Sequence, residues 1–493
     1  MLSQSHEHKI GRLNAIDRME SILTLQFLPP TVPKDILSKH LIGGEETISL
    51  FESLGLAFPC ESDSSVIVPY VHLFPLEVPM VVCNAEQGDE RNDACKRDTC
   101  TSYWNDTKSV VIVTDCHPTI LSRTTVGEEE DGAVMYIGPD SLALVQHNPI
   151  QSHMTSVFQS KKQAEGHIKI VDFCTGSGVQ ALCALLSLER VDAGTTAVCV
   201  DVNDRALRFT RFNALLNGIE SNRIYTVKAD LISGSLLEPR DKVNCVRVDQ
   251  QDGSISSIYD LLINGFQSHK KHSNRFPSAP FDLILANPPF IPTPEADRDS
   301  ISENISKRYG LFSSGGASGE DVLRSIIIMS SRLLTPENGM LAIVSEFMNP
   351  PVTQQSAEAH DELNLQLLDK LCHWWEGDLT EYKVNTSAKP AKGRGILFTN
   401  EFPVSSTTYA ARRADDEAEY KVWIQNLEAC GIYRVSPGQL YIKTGSPRKE
   451  RGSDCKLDVQ SKLVPQDKEL GSIWTPYNYK AILYTGKEWD QLN

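Results

Sequence analysis

Five short apolar runs between positions 167 and 345 each end in a polar residue, and helical segments separate most of them. Short runs that are rich in β-branched residues are typical of buried strands. Strands that alternate with helices predict an α/β fold, in which a parallel sheet carries helices on both faces. Ligands of such open sheets bind beyond the carboxyl ends of the strands. The polar residues at those ends are Asp172, Asp201, Asp230, Asn287 and Ser345.

The helices between these strands can be placed from their spacing and their end signals. Apolar residues from Val179 to Leu186 recur at i, i+3, i+4 and i+7, which puts them on one buried helix face. A second helix is expected to begin near Asp204, a good N-cap residue. It is expected to stop at Gly218, because glycine is favoured just past a helix end.

A glycine turn follows the first of these strands. Val171 to Gly178 reads Val-Asp-Phe-Cys-Thr-Gly-Ser-Gly and opens the first helix. Glycines there permit a tight turn and let the backbone approach a ligand closely. Asp201, at the end of the next strand, can accept hydrogen bonds from both hydroxyls of a ribose. Asp230, at the end of the third, is placed to meet an adenine amino group. A dinucleotide such as NAD is the alternative ligand at this stage.

The whole pattern resembles the Rossmann-like, doubly wound fold of class I S-adenosylmethionine-dependent methyltransferases. The resemblance rests on D-x-x-T-G-S-G, an acidic residue ending the second strand and Ala-Asp ending the third. It implies S-adenosylmethionine as the cofactor, with Asp172 near its positively charged amino acid part. The cofactor-binding residues that it implies are Asp172, Cys174, Thr175, Gly176, Gly178, Asp201, Asp230 and Asn287.

The fourth strand ends in Asn287-Pro288-Pro289-Phe290. The two prolines rigidify the backbone and remove two N–H donors, which leaves carbonyl oxygens as acceptors. A planar –NH₂ group is a poor nucleophile because its lone pair is delocalised. The Asn287 side chain and the Pro288 carbonyl can hold both N–H bonds and turn the lone pair toward a methyl donor, while Phe290 stacks on the plane. The alternative is a purely structural turn after the strand.

This motif is similar to the [D/N/S]-P-P-[F/Y/W] motif of amino-methyltransferases, which act on adenine N6, guanine N2 or the amide of glutamine. The resemblance implies catalytic roles for Asn287, Pro288 and Phe290, and contact with substrate for Pro289. Nitrogen methylation is therefore the expected activity. A degenerate domain that only binds is disfavoured, because the glycines, Asp172, Asp201 and Asn287 are all intact.

The segment from Tyr309 to Arg324 bears on which nitrogen is methylated. Its glycine-rich stretch resembles that of the release-factor glutamine methyltransferases (HemK type), which implies substrate contacts from Gly315 and Gly316. Ser318 stands where that family usually has Asp. The favoured substrate is a glutamine side chain of a protein, of the translation-factor type by resemblance. The alternative is an exocyclic nitrogen of adenine or guanine in RNA or DNA.

The segment Met135 to Leu142 precedes the first core strand and reads Met-Tyr-Ile-Gly-Pro-Asp-Ser-Leu. It resembles the lead-in of a longer HemK-like bacterial group. In that interpretation the segment covers the cofactor or lines the substrate entrance. A simple Gly-Pro turn is the alternative.

Charge and composition narrow the partners. The formal net charge of −16 disfavours long nucleic acid as a partner, since Lys and Arg provide most non-specific affinity for phosphates. No apolar run is long enough for a membrane helix, so no membrane partner is expected. Cysteines within apolar runs indicate a reducing compartment, and the N-terminus lacks a secretory signal. A cytoplasmic protein is expected, with organelle import left open. Cys95-x₄-Cys100 is not a typical zinc pattern, and no metal is expected.

The length of 493 residues predicts more than one domain. Residues 1–125, with strand-like Val66–Val68 and Val110–Val113 and a helix-like Ile36–Leu56, are expected to be an α+β accessory module for substrate recognition. Residues 126–350 are the expected S-adenosylmethionine-binding catalytic domain. Within it, 240–280 is unusually long and polar for a connection and is interpreted as an insertion. Residues 351–493 are expected to form a C-terminal extension that completes the sheet, with strands at Gly395–Thr399 and Gln439–Lys443.

Overall fold

A computed structural model describes most of the chain beyond position 133 and several segments before it. The described residues are 32–35, 49, 57–60, 63–69, 71–81, 107–115, 134–146, 148–163, 166–239, 257–265, 276–295, 299–352, 361–379, 388–445 and 456–464. Almost all of the helix expected over Ile36–Leu56, the Cys95/Cys100 pair and much of 240–280 lie outside these residues. A short helix at Ile258–Asn264 does fall within the expected insertion.

A nine-stranded sheet organises the larger part of the chain. Its central strands are β6 (Lys169–Phe173), β7 (Thr196–Asp201), β8 (Ile224–Lys228), β9 (Leu283–Ala286) and β10 (Met340–Met348). These five are parallel to one another and lie in the order β10-β9-β6-β7-β8. From β6 the chain first adds β7 and β8 on one side and then adds β9 and β10 on the other. The strand order therefore reverses between β6 and β9.

The C-terminal strands extend the same sheet beyond β10. They are β11 (Gly393–Asn400), β12 (Val404–Ser405), β13 (Arg434–Thr444) and β14 (Leu457–Val464). β13 pairs antiparallel with both β10 and β11, while β14 pairs parallel with β11 at the edge. β12 makes a short antiparallel pairing with β13.

Ten helices of the described residues connect or cover these strands. Their buried faces meet the sheet in a core that includes Phe173, Phe281, Phe347 and Trp375. A smaller apolar cluster forms where the helices after β12 pack, around Trp423. The helices are α1 (Pro139–Gln146), α2 (Asn148–Gln163), α3 (Val179–Ser187), α4 (Asp204–Leu216), α5 (Ile258–Asn264), α6 (Ser300–Ser313), α7 (Asp321–Leu333), α8 (Asp361–Glu376), α9 (Ser406–Arg413) and α10 (Glu417–Ala429).

Helix α4 shows how the local sequence sets an element's bounds. The Asn203 side chain accepts a hydrogen bond from the backbone N–H of Arg205 and caps the helix. Gly218 follows the helix end with a φ of +74°, the left-handed conformation that glycine adopts without steric cost. The predicted helix is therefore observed, with the cap one residue earlier than expected.

The strands before position 130 lie outside the nine-stranded sheet. β1 (Val32–Pro33), β3 (Asp63–Pro69) and β2 (Ala57–Cys60) form a three-stranded antiparallel sheet, whereas β4 (Val71–Pro79) pairs with β5 (Thr107–Asp115). The strands expected at Val66–Val68 and Val110–Val113 are thus present within β3 and β5.

The chain divides into two compact units. One contains the described residues up to 75 together with 111–115, and the other contains 76–81, 107–110 and everything described from 134 onward. The C-terminal strands therefore share a unit with the central sheet. The division of labour expected for 1–125, 126–350 and 351–493 stays a prediction.

The predicted doubly wound α/β fold is confirmed by the mostly parallel central sheet. The apolar strands predicted from the runs ending at Asp172, Asp201 and Asn287 are all present. Within the part of the chain that the structure describes, no helix has the length and apolarity needed to cross a membrane.

Candidate active site

The turn after β6 depends on left-handed backbone conformations. Cys174, Gly176 and Gly178 have φ values of 56°, 55° and 83°. A Cβ atom on Gly178 would lie 2.9 Å from the Thr210 side chain, so a larger residue there would collide with α4. No atom lies within 4 Å of the equivalent position on Gly176. The turn is thus closed against α4 and open on the side of Gly176.

Asp172 is fully buried beneath this turn. Its Oδ2 accepts hydrogen bonds from the Thr175 hydroxyl at 2.7 Å and from the Ala181 backbone N–H at 3.3 Å. Its Oδ1 has no partner among the described residues. Burial raises the pKa of this carboxyl to about 7, although the hydrogen bond from Thr175 opposes the shift. The residue is therefore poised to meet a positive charge or an N–H donor.

Asp201 ends β7 and joins it to the glycine turn. Its two carboxylate oxygens accept the backbone N–H groups of Gly176 and Asn203, each at 2.9 Å. Burial raises the pKa of Asp201, and these backbone hydrogen bonds oppose the shift. Each oxygen retains lone-pair capacity for a hydroxyl donor.

Asp230, after β8, is held by its own turn. Its Oδ1 accepts the backbone N–H of Ile232 at 2.9 Å and its Oδ2 the Ser233 hydroxyl at 2.7 Å. The neighbouring apolar side chains Val202 and Ile232 are 36% and 51% exposed. Both line the cavity described next, where they offer apolar walls beside two carboxylates.

A cavity of about 710 Å³ lies at the carboxyl ends of β6, β7, β8 and β9. Eight of the sequence-predicted site residues line it: Cys174, Thr175, Gly176, Asp201, Asp230, Asn287, Pro289 and Gly316. Asp172, Gly178, Pro288, Phe290 and Gly315 belong to the same turns but do not line the cavity. One space therefore joins the glycine turn to the Asn-Pro-Pro-Phe turn.

The Asn287 side chain is half-buried at one end of this cavity. Its Nδ2 donates to Asp140 Oδ2 at 2.8 Å and contacts the Ser141 hydroxyl at 3.2 Å. Its Oδ1 is buried and has no hydrogen-bond partner among the described residues. No described N–H donates to the Pro288 carbonyl. Two acceptors are therefore available at the end of β9.

The glycine-rich loop before α7 packs directly on the turn after β9. The Gly315 N–H donates to the Ile291 carbonyl at 2.9 Å, and the Thr293 N–H donates to the Gly316 carbonyl at 2.9 Å. A Cβ atom on Gly315 would lie 2.8 Å from the Pro289 carbonyl oxygen. Glycine is needed at position 315 because two stretches of backbone touch there.

Helix α10, from the C-terminal region, ties this arrangement together. The fully buried Asn426 donates through Nδ2 to the carbonyls of Pro292 at 3.2 Å and Ala317 at 3.0 Å. The Cys430 thiol donates to the same Ala317 carbonyl at 3.4 Å. Residues more than 100 positions apart thus hold the two loops in register.

Three site residues were missed by the sequence reasoning. Asp140 and Ser141 were assigned only to a lead-in segment, yet they contact the Asn287 amide. Gln180, in the first turn of α3, lines the cavity with a buried and unpartnered Oε1. A glutamine two positions after the last glycine, within an otherwise apolar helix, was a usable signal for a site residue. No local pattern indicated the contact between Asp140 and Asn287.

The polar atoms in and beside the cavity indicate which ligands it suits. Three buried oxygens without partners among the described residues lie in or beside it, on Asp172, Gln180 and Asn287. Among the described lining residues there is no lysine, arginine or histidine. Such a site suits a ligand that brings N–H donors, hydroxyls or positive charge. These residues fit S-adenosylmethionine, which has an ammonium, a sulfonium, a ribose and an adenine amino group.

Comparisons with known proteins agree with this chemistry. No family model matches the chain. It is 24% identical to the release factor glutamine methyltransferase of Deinococcus radiodurans over 215 residues, covering 44% of this chain and 58% of the relative. It is 27% identical over 176 residues to the enzyme of the same name from Mycobacterium tuberculosis, covering 35% and 42%. The chain spans about half the length of these curated relatives. The predicted resemblance to release-factor glutamine methyltransferases is thus confirmed.

Solved structures with a likeness to the chain include two methyltransferases. One is a type I restriction-modification methyltransferase subunit from Streptococcus thermophilus, 14% identical with a TM-score of 0.33, covering 74% of this chain and 55% of that one. The other is a SAM-dependent methyltransferase from Agrobacterium tumefaciens, 12% identical with a TM-score of 0.30, covering 68% of each. These scores mark a loose likeness, and the strand order defines the fold.

Proposed function

We propose that this protein is an S-adenosylmethionine-dependent methyltransferase that transfers a methyl group to the side-chain amide nitrogen of a glutamine in a protein. The observation that carries the proposal is the buried Asn287 Oδ1, which has no partner among the described residues and belongs to a side chain that lines the cavity. Burying an acceptor without a partner is costly, so an acceptor beside a cavity suits a ligand that brings a donor. A planar –NH₂ group supplies such a donor.

The glycine turn and three acidic residues would hold the cofactor. Asp201 would accept the ribose hydroxyls, Asp230 the adenine amino group, and Asp172 with Gln180 would face the ammonium group. Val202 and Ile232 would sandwich the purine. Bound there, S-adenosylmethionine supplies an electrophilic methyl group.

The other end of the cavity, at Asn287, would bind the methyl acceptor. Asn287 Oδ1 and the Pro288 carbonyl would each accept one N–H of the substrate amide. These two bonds restrict rotation of the –NH₂ group and polarise its N–H bonds, which makes the nitrogen lone pair more available. The proton displaced by methylation leaves from an N–H that points at one of these acceptors.

The charge of the cavity favours an amide over a nucleotide. A base within RNA or DNA arrives with phosphates, which basic side chains normally neutralise. The described residues that line the cavity include two carboxylates and no basic side chain. The curated relatives act on glutamine by their names, and the net charge of −16 points the same way.

Methyl-labelled S-adenosylmethionine added to a cell extract with the purified protein tests the proposal. Label should appear in macromolecules that survive nuclease but not protease, and hydrolysis should release labelled methylamine from a modified amide. Asn217→Ala, a change of the same size at the end of α4, serves as a control beside Asn287→Ala. Only the latter should abolish labelling.

Three results would contradict the proposal in different ways. Label confined to nuclease-sensitive material would replace the glutamine by a base nitrogen. Label in methylated lysine or arginine that survives acid hydrolysis would exclude an amide acceptor. Absence of any transfer, with S-adenosylhomocysteine still bound, would leave only a binding function.

A further inference from the structure

The Asn287 amide has two chemically different ends, and only one can accept a hydrogen bond. We propose that Asp140 is a positioning residue that fixes the orientation of this amide, so that Oδ1 rather than Nδ2 is presented to the methyl acceptor. The proposal rests on the proposed function, because it concerns how that acceptor is held. Ser141 assists by contacting the same Nδ2.

The geometry places a carboxylate directly behind the amide nitrogen. Asp140 is 3% exposed, and its Oδ2 lies 2.8 Å from Asn287 Nδ2 across 147 residues of sequence. The Ser141 hydroxyl, on the same first turn of α1, lies 3.2 Å from that nitrogen. Both hydrogens of the Asn287 –NH₂ group are therefore engaged on the side of α1. Its oxygen has no protein donor among the described residues.

The chemistry of a carboxylate makes this orientation unequal to the flipped one. An ionised carboxylate only accepts hydrogen bonds. If the Asn287 amide were flipped, its oxygen would face the Asp140 oxygens, and the contact would become repulsive. The serine hydroxyl can donate or accept, so it satisfies either orientation. Asp140 therefore decides the direction in which the Asn287 amide points.

The local sequence around Asp140 holds the carboxylate in place. Helix α1 begins at Pro139, and the backbone N–H groups of Asp140 and Ser141 hydrogen-bond the Asp140 carboxylate. A Cβ atom on Gly138 would lie 2.4 Å from Asp140 Oδ1, so only glycine leaves room for this arrangement. Gly-Pro-Asp-Ser is therefore more than a turn. It presents one acceptor oxygen to a residue that ends β9.

Tyr136 is a titratable group that interacts with Asp140 and lines the same cavity. Burial, followed by the charge of Asp140, raises the pKa of the Tyr136 phenol. Its hydroxyl stays neutral at physiological pH and leaves Asp140 without a competing charge from that side. Burial also raises the pKa of Asp140, whereas the hydrogen bond from Asn287 lowers it.

Replacing Asp140 by asparagine should invert the Asn287 amide. The new side chain has a single oxygen, which the backbone N–H groups of its own helical turn would hold, so its –NH₂ group would face Asn287. Asn287 would then turn its oxygen toward position 140 and its –NH₂ group toward the methyl acceptor. Two donors facing each other cannot hold the substrate amide.

Replacing Asp140 by alanine should be less harmful than replacing it by asparagine. Alanine removes the bias without imposing the opposite one, so about half of the molecules keep the productive orientation. A purely structural role predicts the reverse order, because asparagine preserves volume and hydrogen bonding better than alanine. The order of the two variants therefore separates orientation from packing.

The test measures two quantities for each full-length variant. One is the initial rate of methyl transfer to extract proteins at saturating labelled S-adenosylmethionine, and the other is the Kd of S-adenosylhomocysteine by calorimetry. Asp140→Asn should lower the rate by about tenfold or more, and Asp140→Ala by about twofold to fivefold. Both should keep the Kd within about twofold. Asp369→Asn, the same change at an exposed carboxylate on α8 outside the cavity, should change neither quantity.

The outcomes distinguish this inference from the proposed function. An Asp140→Asn rate equal to or above that of Asp140→Ala would overturn the positioning role. A parallel loss of S-adenosylhomocysteine affinity in either variant would also overturn it, because the role concerns the acceptor amide alone. Failure of the wild-type protein to transfer methyl groups would instead overturn the proposed function.

Discussion

The two halves of the cavity are built in different ways. The cofactor half consists of the glycine turn with Asp172, Asp201 and Asp230, and its contacts join residues close in sequence. The hydrogen bond from Gly176 to Asp201 spans 25 positions, and that from Thr175 to Asp172 spans three. The acceptor half centres on Asn287, whose amide contacts Asp140 across 147 positions.

This difference corresponds to the two proposed ligands. The cofactor half would bind S-adenosylmethionine, which many enzymes share, and the acceptor half would bind the particular substrate of this protein. The cofactor half lies on one strand-turn-helix unit and the ends of the next two strands. Ligand sites of this kind recur at the carboxyl ends of strands in open α/β sheets. The acceptor half collects α1, the turn after β9, the loop before α7 and helix α10. A substitution in any one of these segments can therefore alter the acceptor half.

The largest effect should come from Asn287→Ala. Removing the amide deletes the buried acceptor and leaves the cofactor half intact. We expect the rate of methyl transfer to fall by about 100-fold to 1000-fold, the range for removing one group that stabilises a transition state. The Kd of S-adenosylhomocysteine should stay close to that of the wild-type protein. Full activity in the variant would refute the assigned role.

Asp201→Ala should act on the opposite half. It removes the proposed ribose acceptor and the partner of the Gly176 N–H. A charged hydrogen bond is worth about 1.5–3 kcal/mol, so the Kd of S-adenosylhomocysteine should rise by roughly 10-fold to 150-fold. Methylation at saturating cofactor should recover much of its rate. Unchanged affinity in calorimetry would remove Asp201 from the cofactor site.

The pH dependence of cofactor binding should reveal Asp172. Its pKa of about 7 means that the carboxyl is largely protonated at pH 6, and a cationic ligand must displace that proton. Affinity for S-adenosylhomocysteine should therefore fall by about tenfold between pH 8 and pH 6. Asp172→Asn should flatten this dependence. An identical pH profile in the variant would assign the proton to another group, such as Asp201.

The same shift has a consequence for the unliganded protein. A carboxyl whose pKa is higher in the folded state than in the unfolded state binds more protons when folded. Its contribution to stability is greatest below the unfolded pKa and is lost as the pH rises toward about 7. Thermal unfolding of Asp172→Asn should lack this loss over that range.

The smallest effect should come from Asn426→Ala in helix α10. The change deletes two hydrogen bonds that join this helix to the carbonyls of Pro292 and Ala317. Unpaired buried groups cost about 1–3 kcal/mol each, so the melting temperature should fall by several degrees. Methyl transfer should slow several-fold with an unchanged cofactor Kd. If cofactor affinity fell instead, α10 would support the whole cavity rather than its acceptor half.

The sequence predicted the central sheet well because burial is periodic along it. Strands ending at Asp172, Asp201 and Asn287 were visible as β-branched runs followed by polar residues, and all three are present. The glycine turn was visible because glycine at a left-handed φ is a local requirement. Structural features that depend on residues close together in the sequence can therefore be predicted from the sequence.

Other parts of the site could not be found in this way. The role of Asp140 depends on how α1 lies against the end of β9, and no spacing between positions 140 and 287 encodes that approach. No sequence pattern marks Asn426, which is fully buried against two carbonyls. Both contacts are long-range, and hydrophobic patterning specifies only which face is buried.

The sequence by itself determined the α/β class, the polar strand ends and the turn chemistry at Gly176, Gly178 and Asn287. These depend on the preferences of single residues and on short periodicities. Only the tertiary structure decided how the Asn287 amide is held, because its Nδ2 donates to a carboxylate from α1. It also decided that the cavity has no basic side chain among its described lining residues. The packing of distant segments controls both features, and no local propensity determines such packing.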